Sequence, residues 1–293
     1  MEYALFYAEG DDPVAYVPAA DDIGDWVDDL EARGASEYGE RLRPDHDATI
    51  VRVREGQLLV TDGPFTESKE SIGGFDIIDV ADLDEAIEIA SRHPAAAFVR
   101  VEVRPFVQWP DADPSARVVP TGFRDRVAKG TRYLMLVVAA QQGAVISDDG
   151  GGDASPDDDG ANDDPEAWVG EMDARGTRLF GEVLHGPEEA TFVRRREGEV
   201  LVSDGPFAES KEWVAGFDVL EVRDLSEAIE VASKHPMARG GTLELRPLWP
   251  FDVHDDHVAR HEREAAERGI RVEPSAAEAL DAVAGAGRCI ANG

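Results

Sequence analysis

Three residue types that can move protons or hold anions occur at Asp62, Lys69 and His93, and recur 142 positions later as Asp204, Lys211 and His235. A carboxylate, an ammonium and an imidazole together could carry general acid–base chemistry or hold an anionic ligand. Lysine is scarce: only Lys69, Lys129, Lys211 and Lys234 occur, and two of the four occupy equivalent places. Arginine takes the basic role elsewhere, yet only lysine combines a compact charge with a readily shifted pKa. The first two members of each set lie within a repeated stretch, TDGPFTESKE and SDGPFAESKE.

A structural role competes at each position. Gly63 and Gly205 suit a tight turn, Pro64 and Pro206 fix φ, and Phe65 and Phe207 can enter the core. Asp62 and Asp204 can cap that turn. Lys69 and Lys211 can pair with neighbouring glutamates such as Glu67 and Glu70. His93 and His235 close a helix, where a charged imidazole favours the dipole. Near the C-terminus, His254, His257 and His261 are spaced to share one helical face and form a weak candidate metal site.

The elements that must position these residues occur twice. Residues 26–94 align with 168–236 without a gap, and 39 of the 69 positions are identical. Each copy reads as strand, helix, strands, helix, strand. In the first copy the expected elements are a strand at 3–8, a helix at 21–33 capped by Asp21 or Asp22 and stopped at Gly34, and a hairpin at 49–53 and 57–61. A strand at 75–80, a helix at 82–92 with Asp82 and Glu85 as a capping pair, and a strand at 99–103 complete it. That order predicts an α+β fold of two ferredoxin-like units. Such units leave one sheet face uncovered, so the copies should close over each other as an intramolecular dimeric α+β barrel, with a ligand cleft between the sheets.

The expected boundaries are repeat 1 at 1–104, a proline-rich linker at 105–130, repeat 2 at 131–250 and an acidic tail at 251–293. The Gly/Asp/Ser-rich stretch 147–164 inside repeat 2 has no apolar periodicity and is expected to be a disordered insertion.

Composition narrows the partners. The 293 residues carry 62 acidic against 29 Lys and Arg side chains, a net charge of −33. Self-repulsion at that density destabilises a compact state, and salt screens it. A salt-loaded cytoplasm is the expected setting. The same charge disfavours nucleic acid and anionic membranes, and no apolar run nears the ~20 residues of a spanning helix. The first residues lack a basic, apolar leader pattern. The single cysteine, Cys289, excludes an internal disulfide. No cofactor is implied.

The stretches DGPFTESKESIGGFDIIDVADLDEAIEIASRHP and DGPFAESKEWVAGFDVLEVRDLSEAIEVASKHP resemble the YCII-related family, in the branch named for its DGPF motif. The closing VEVRPF and LELRPL resemble that family's last strand. The resemblance implies a dimeric α+β barrel of ferredoxin-like units and no settled activity. In some relatives a histidine on the first helix and an aspartate in an Asp-Pro step are the proposed acid–base pair. Here the first helices carry Trp26 and Trp168 and no histidine, and the step is His93-Pro94 and His235-Pro236. The expected function is binding of a small anionic or aromatic metabolite, with acid–base turnover by the Asp, Lys and His sets. The alternative is an accessory module in which the motif only shapes the fold. The expected partner is a small-molecule ligand, with further homodimerisation open.

Overall fold

A computed structural model of the chain describes residues 1–8, 23–64, 71–110, 113, 116–124, 126–140, 164–205 and 212–249. Repeat 1 forms β1 (Glu2–Ala8), α1 (Gly24–Arg33), β2 (Ser36–Arg41), β3 (Thr49–Arg54), β4 (Gln57–Asp62), β5 (Ile72–Asp79), α2 (Leu83–Arg92) and β6 (Arg100–Pro105). Repeat 2 forms β7 (Thr131–Ala140), α3 (Pro165–Arg175), β8 (Arg178–Val183), β9 (Thr191–Arg196), β10 (Glu199–Asp204), β11 (Glu212–Val222), α4 (Leu225–Ser233), the short α5 (Met237–Gly240) and β12 (Thr242–Pro247). The fold is α+β, with every pairing between named strands antiparallel.

Local chemistry sets the helices. Asp82 accepts a hydrogen bond from Glu85 N–H at 3.0 Å, and the Glu85 carboxylate accepts from Ala81 N–H at 2.9 Å, so the expected capping pair forms. Asp224 and Glu227 repeat the first contact on α4. Gly34 ends α1 in the left-handed region, at φ 68°. The helix begins after Ile23, which offers no side-chain cap, and the expected caps Asp21 and Asp22 lie outside the described residues.

Each sheet has six strands, ordered β10-β9-β6-β1-β5-β2 and β4-β3-β12-β7-β11-β8. The four strands β6-β1-β5-β2 are one ferredoxin-like unit and β12-β7-β11-β8 the other. The two hairpins are exchanged. β3–β4 of repeat 1 joins the sheet of repeat 2 through β3–β12, and β9–β10 of repeat 2 joins the sheet of repeat 1 through β6–β9. The strands β2 and β8 fill the sheet position that the sequence reading left to the hairpins. Their sequences SEYGER and RLFGEV bury only Tyr38 and Phe180, which hides the strand signal.

Two seams join the sheets: Leu42 bridges Leu248 where β2 and β12 run on, and Phe106 bridges Leu184 where β6 and β8 run on. The eight central strands thereby close into a barrel. Its interior is packed by Phe6, Phe75 and Ile77 from one repeat against Leu136, Phe180 and Phe217 from the other. The copies do close over each other, as expected, but this space is a filled apolar core and not an open cleft between the sheets. An eight-stranded barrel is just wide enough for its own side chains to fill it. Val119 and Phe123, from the stretch expected to be a linker, belong to this same core.

Buried arginines hold both seams. Arg104 pairs with Glu102 at 2.8 Å and donates to His185 O, while Arg246 pairs with Glu244 at 3.1 Å and donates to Arg43 O at 2.6 Å. His185 and Arg43 are equivalent positions, each leading into an exchanged hairpin. A further arginine anchors one hairpin to the foreign repeat. Arg54 donates to Ala238 O, Arg239 O and Gly241 O at 2.7–2.8 Å, meeting carbonyls at the end of α5. The outer faces of the two units carry separate helix-covered cores, around Trp26 and Ile89 in repeat 1 and around Trp168 and Ile229 in repeat 2.

Candidate functional site

Alternation along β5 sends Phe75 and Ile77 into the barrel and Asp76 and Ile78 to the face that α1 and α2 cover. Asp76 is thus a carboxylate on an apolar face. Tyr7, on the same face of β1, donates to Asp76 Oδ2 at 2.6 Å. On the neighbouring strand, Gly39 stands opposite Asp76, and a Cβ there would overlap Asp76 Oδ1. The glycine is required by that close approach.

Asp76 lines a cavity of about 890 Å³ that runs along β2 and the seam with β12. Tyr7, His93 and Gly74 lie on its walls with Asp76, and Tyr38, Glu40, Arg132, Arg246 and Trp249 also line it. Burial pushes the Asp76 carboxyl up to about 7, against the Tyr7 hydrogen bond and the Arg124 charge. Glu40 is likewise raised to about 7 by burial, against a 3.1 Å hydrogen bond from Tyr38 and the Arg132 charge. Burial and the adjacent Asp76 raise the Tyr7 hydroxyl well above its ordinary value. The cavity therefore holds two carboxyls able to gain or lose a proton near neutrality, the condition for acid–base work at physiological pH.

His93 reaches this cavity from the end of α2. Its ring stacks on Tyr7 with centroids 4.2 Å apart and meets the edge of Trp26 at 4.5 Å. Ala95 N–H donates to its Nδ1 at 3.0 Å, so the neutral ring carries its proton on Nε2. Desolvation, followed by the Arg41 and Arg195 charges, pushes its pKa down to about 3. The sequence reading of a charged imidazole serving the helix dipole is thereby corrected: His93 is neutral and caps the following 3-10 turn, Pro94–Ala97. His235 has the same role, accepting from Met237 N–H at 3.1 Å, with burial and then Arg178 holding it at about 3.

The other expected site residues fall elsewhere. Asp62 ends β4, exposed, opposite Thr49 in the sheet of repeat 2. His93 belongs to the unit built on the other sheet, and Asp62 is not among the cavity's lining residues. Asp204 is placed alike at the end of β10, opposite Thr191. The described start of the motif closes a hairpin: Gly63, at φ 97°, donates its N–H to Ala48 O. Lys69 and Lys211 lie outside the described residues, as do Phe65, Glu67, Glu70, Pro206, Phe207, the stretch 147–163 and the histidines His254, His257 and His261. The first copy of the motif runs from β4 on one sheet to β5 on the other and rejoins the described chain at Ser71, which lines the cavity.

Repeat 2 keeps the aspartate and changes its surroundings. Asp218 stands where Asp76 does, but Val137 replaces Tyr7 and Arg178 replaces Ser36. Arg178 Nε donates to Asp218 Oδ1 at 2.6 Å, and Asp218 is buried. Burial raises its pKa to about 6 against the pull of Arg178. Arg41 becomes Val183, and Trp249 becomes Val107. Asp76 lines the cavity along β2, and Asp218 does not.

The profile of the YCII-related domain matches residues 1–110 and again residues 135–252. The chain belongs to the YCII-related domain family. This tandem YCII-related chain is 48% identical over 50 residues to an uncharacterized protein of Rhizobium meliloti (strain 1021). That match covers 17% of this chain and 40% of the relative's length, so the chain spans well under two thirds of it. Among solved structures, the chain is similar to that of a protein provisionally named a chlorite dismutase. The identity is 10% and the TM-score 0.37, with 88% of this chain and 98% of that one covered. No helix among the described residues is long and apolar enough to cross a membrane.

Proposed function

We propose that the tandem YCII-related chain binds a small organic molecule in the repeat 1 cavity and moves a proton on it through Asp76. The observation that carries this reading is the Tyr7–Asp76 hydrogen bond at the wall of an 890 Å³ cavity, with Glu40 on the same walls. In this reading Asp76 accepts or donates the proton. Tyr7 fixes the orientation of its carboxyl, and Gly39 makes the approach of the neighbouring strand possible. His93 orders the turn after α2 and packs Tyr7. Lys69 stays in the reading on sequence grounds, two residues from Ser71. Repeat 2 is the scaffolding copy, its Asp218 held by Arg178.

The test is a thermal-shift screen of carboxylic and phenolic metabolites on the native chain, Asp76→Asn and Asp218→Asn. Compounds that stabilise the native chain should also stabilise Asp218→Asn and should lose most of their effect on Asp76→Asn. Hits that ignore the Asp76 substitution, or that vanish only with Asp218→Asn, would refute the reading. The turn-closing role of Gly63 supports the accessory-module alternative for the Asp-Gly half of the motif alone.

A further inference from the structure

The chain carries a net charge of −33, yet the cavity walls hold five arginines, Arg41, Arg43, Arg124, Arg132 and Arg246, against Glu31, Glu40, Asp45 and Asp76. Three of these arginines are already paired, Arg124 with Glu31, Arg132 with Glu221 and Arg246 with Glu244, so the walls are close to balanced in charge where the average surface is strongly acidic. Two lining residues add a second observation. Arg246 is 1% exposed and Trp249 7% exposed, and Arg246 Nε and Trp249 Nε1 have no hydrogen-bond partner among the described residues. Buried donors are normally satisfied, and leaving one alone is unfavourable. Arg104 Nε at the other seam is likewise without a partner, so the indole N–H of Trp249 is the donor that marks this cavity, and a group that satisfies it must be an acceptor.

The backbone holds these two residues at the seam. Trp249 N–H donates to Arg41 O at 2.9 Å, Arg43 N–H donates to Pro247 O at 3.0 Å, and Leu248 bridges Leu42. Arg246 is further tied to Glu244 and Arg43 O. The barrel needs an apolar filler at this seam, not an indole: the equivalent of Trp249 at the other seam is Val107, which makes the same backbone bond, to Val183 O at 2.9 Å. The indole N–H is an addition confined to the cavity of repeat 1.

We propose that the seam end of the cavity, formed by Arg246 and Trp249 of repeat 2, seats the carboxylate of an organic acid whose body extends toward Asp76 of repeat 1. The proposal rests on the cavity being the ligand site. It narrows the anionic-or-aromatic choice to a carboxylate, and it makes the site a joint product of both repeats. Duplication within one chain permits this, because only the β12 seam needed to change.

The test uses the full chain labelled with 5-fluorotryptophan and observed by ¹⁹F NMR, with benzoate and its neutral isostere benzamide as probes. The chain has five tryptophans, and Trp249→Phe assigns the resonance in question. Benzoate should shift that resonance and bind about tenfold tighter than benzamide, since hydrogen bonds to a charged acceptor are the stronger class. Trp249→Phe should weaken benzoate by a similar factor and benzamide, whose carbonyl accepts only a neutral hydrogen bond, by clearly less. Because the overall field of the protein repels anions, a preference for benzoate must arise locally. Equal binding of the two probes would overturn the carboxylate seat and leave the small-molecule reading standing. Failure of both probes to shift the Trp249 resonance would overturn both. If Trp249→Phe does not fold, Arg246→Lys assays the same seat, and the native-chain comparison of the two probes still decides.

Discussion

Asp76 and Asp218 occupy the same place in the two repeats and meet opposite partners. Asp76 accepts from the Tyr7 hydroxyl at 2.6 Å, and Asp218 is held by the Arg178 guanidinium at 2.6 Å. Both donors favour the charged form, and the guanidinium adds a full positive charge that the hydroxyl lacks. The duplication has thus left two buried aspartates, both raised by burial, one beside a hydroxyl and one beside a guanidinium.

The raised pKa of Asp76 fixes the sign of a pH effect on stability. The folded state holds the proton up to about 7, whereas an unfolded aspartate releases it near 3.8. The folded chain binds more protons in that window, so this contribution is full below about pH 4 and is lost as pH rises to 7. Asp76→Asn, which still accepts from Tyr7, should remove the dependence and exceed the native chain in stability at pH 8 by a few kcal/mol, at roughly 1.4 kcal/mol per unit of displacement. Urea denaturation of both proteins at pH 5 and pH 8 checks this.

Gly39→Ala should disrupt the site through its neighbour. The added Cβ collides with Asp76 Oδ1, so either the carboxyl leaves its hydrogen bond with Tyr7 or β2 parts from β5. A loss of about 1–3 kcal/mol, the usual cost of overpacking, is expected in denaturation, together with loss of any thermal-shift hit. Gly170→Ala, on α3 with open space around it, should cost nothing.

Arg54→Met tests the exchanged hairpin. Three charge-assisted bonds to the carbonyls around α5 are removed, and about 2 kcal/mol or more of stability should go with them. Hydrogen exchange should rise in β3, β4 and the end of α5, in two different repeats. A rise confined to repeat 1 would argue against the exchange.

The net charge of −33 predicts a thermal midpoint that climbs with KCl, steeply up to the molar range where the Debye length falls to about 3 Å. Calorimetry across a KCl series checks it, and a midpoint indifferent to salt would remove the salt-adapted reading.

Much of the fold was legible because duplication doubled each signal. Capping pairs, glycine stops and the apolar faces of α2 and α4 appear twice, and the uncovered sheet faces implied a closed barrel. The exchange of hairpins was not legible, since the pattern of a strand does not name its partner. β2 and β8 were missed because each buries one aromatic among polar residues. At the site, His93 stood out by chemical type and Asp76 did not, although the strand alternation held the clue. Asp76 and Asp218 fall in phase with the buried Ile78 and Leu220, so each is a carboxylate on an apolar face. Tyr7 read as core, and only the three-dimensional pairing of β1 with β5 gives its hydroxyl a partner.

The most direct measurement is a ¹³C NMR titration of aspartate carboxyl carbons in the full chain, with Asp76→Asn and Asp218→Asn to assign the two signals. The account predicts that Asp76 titrates near 7 and that its midpoint moves when a ligand enters the cavity, while the Asp218 signal ignores the ligand. An Asp76 midpoint near 4, unmoved by any bound compound, would contradict it.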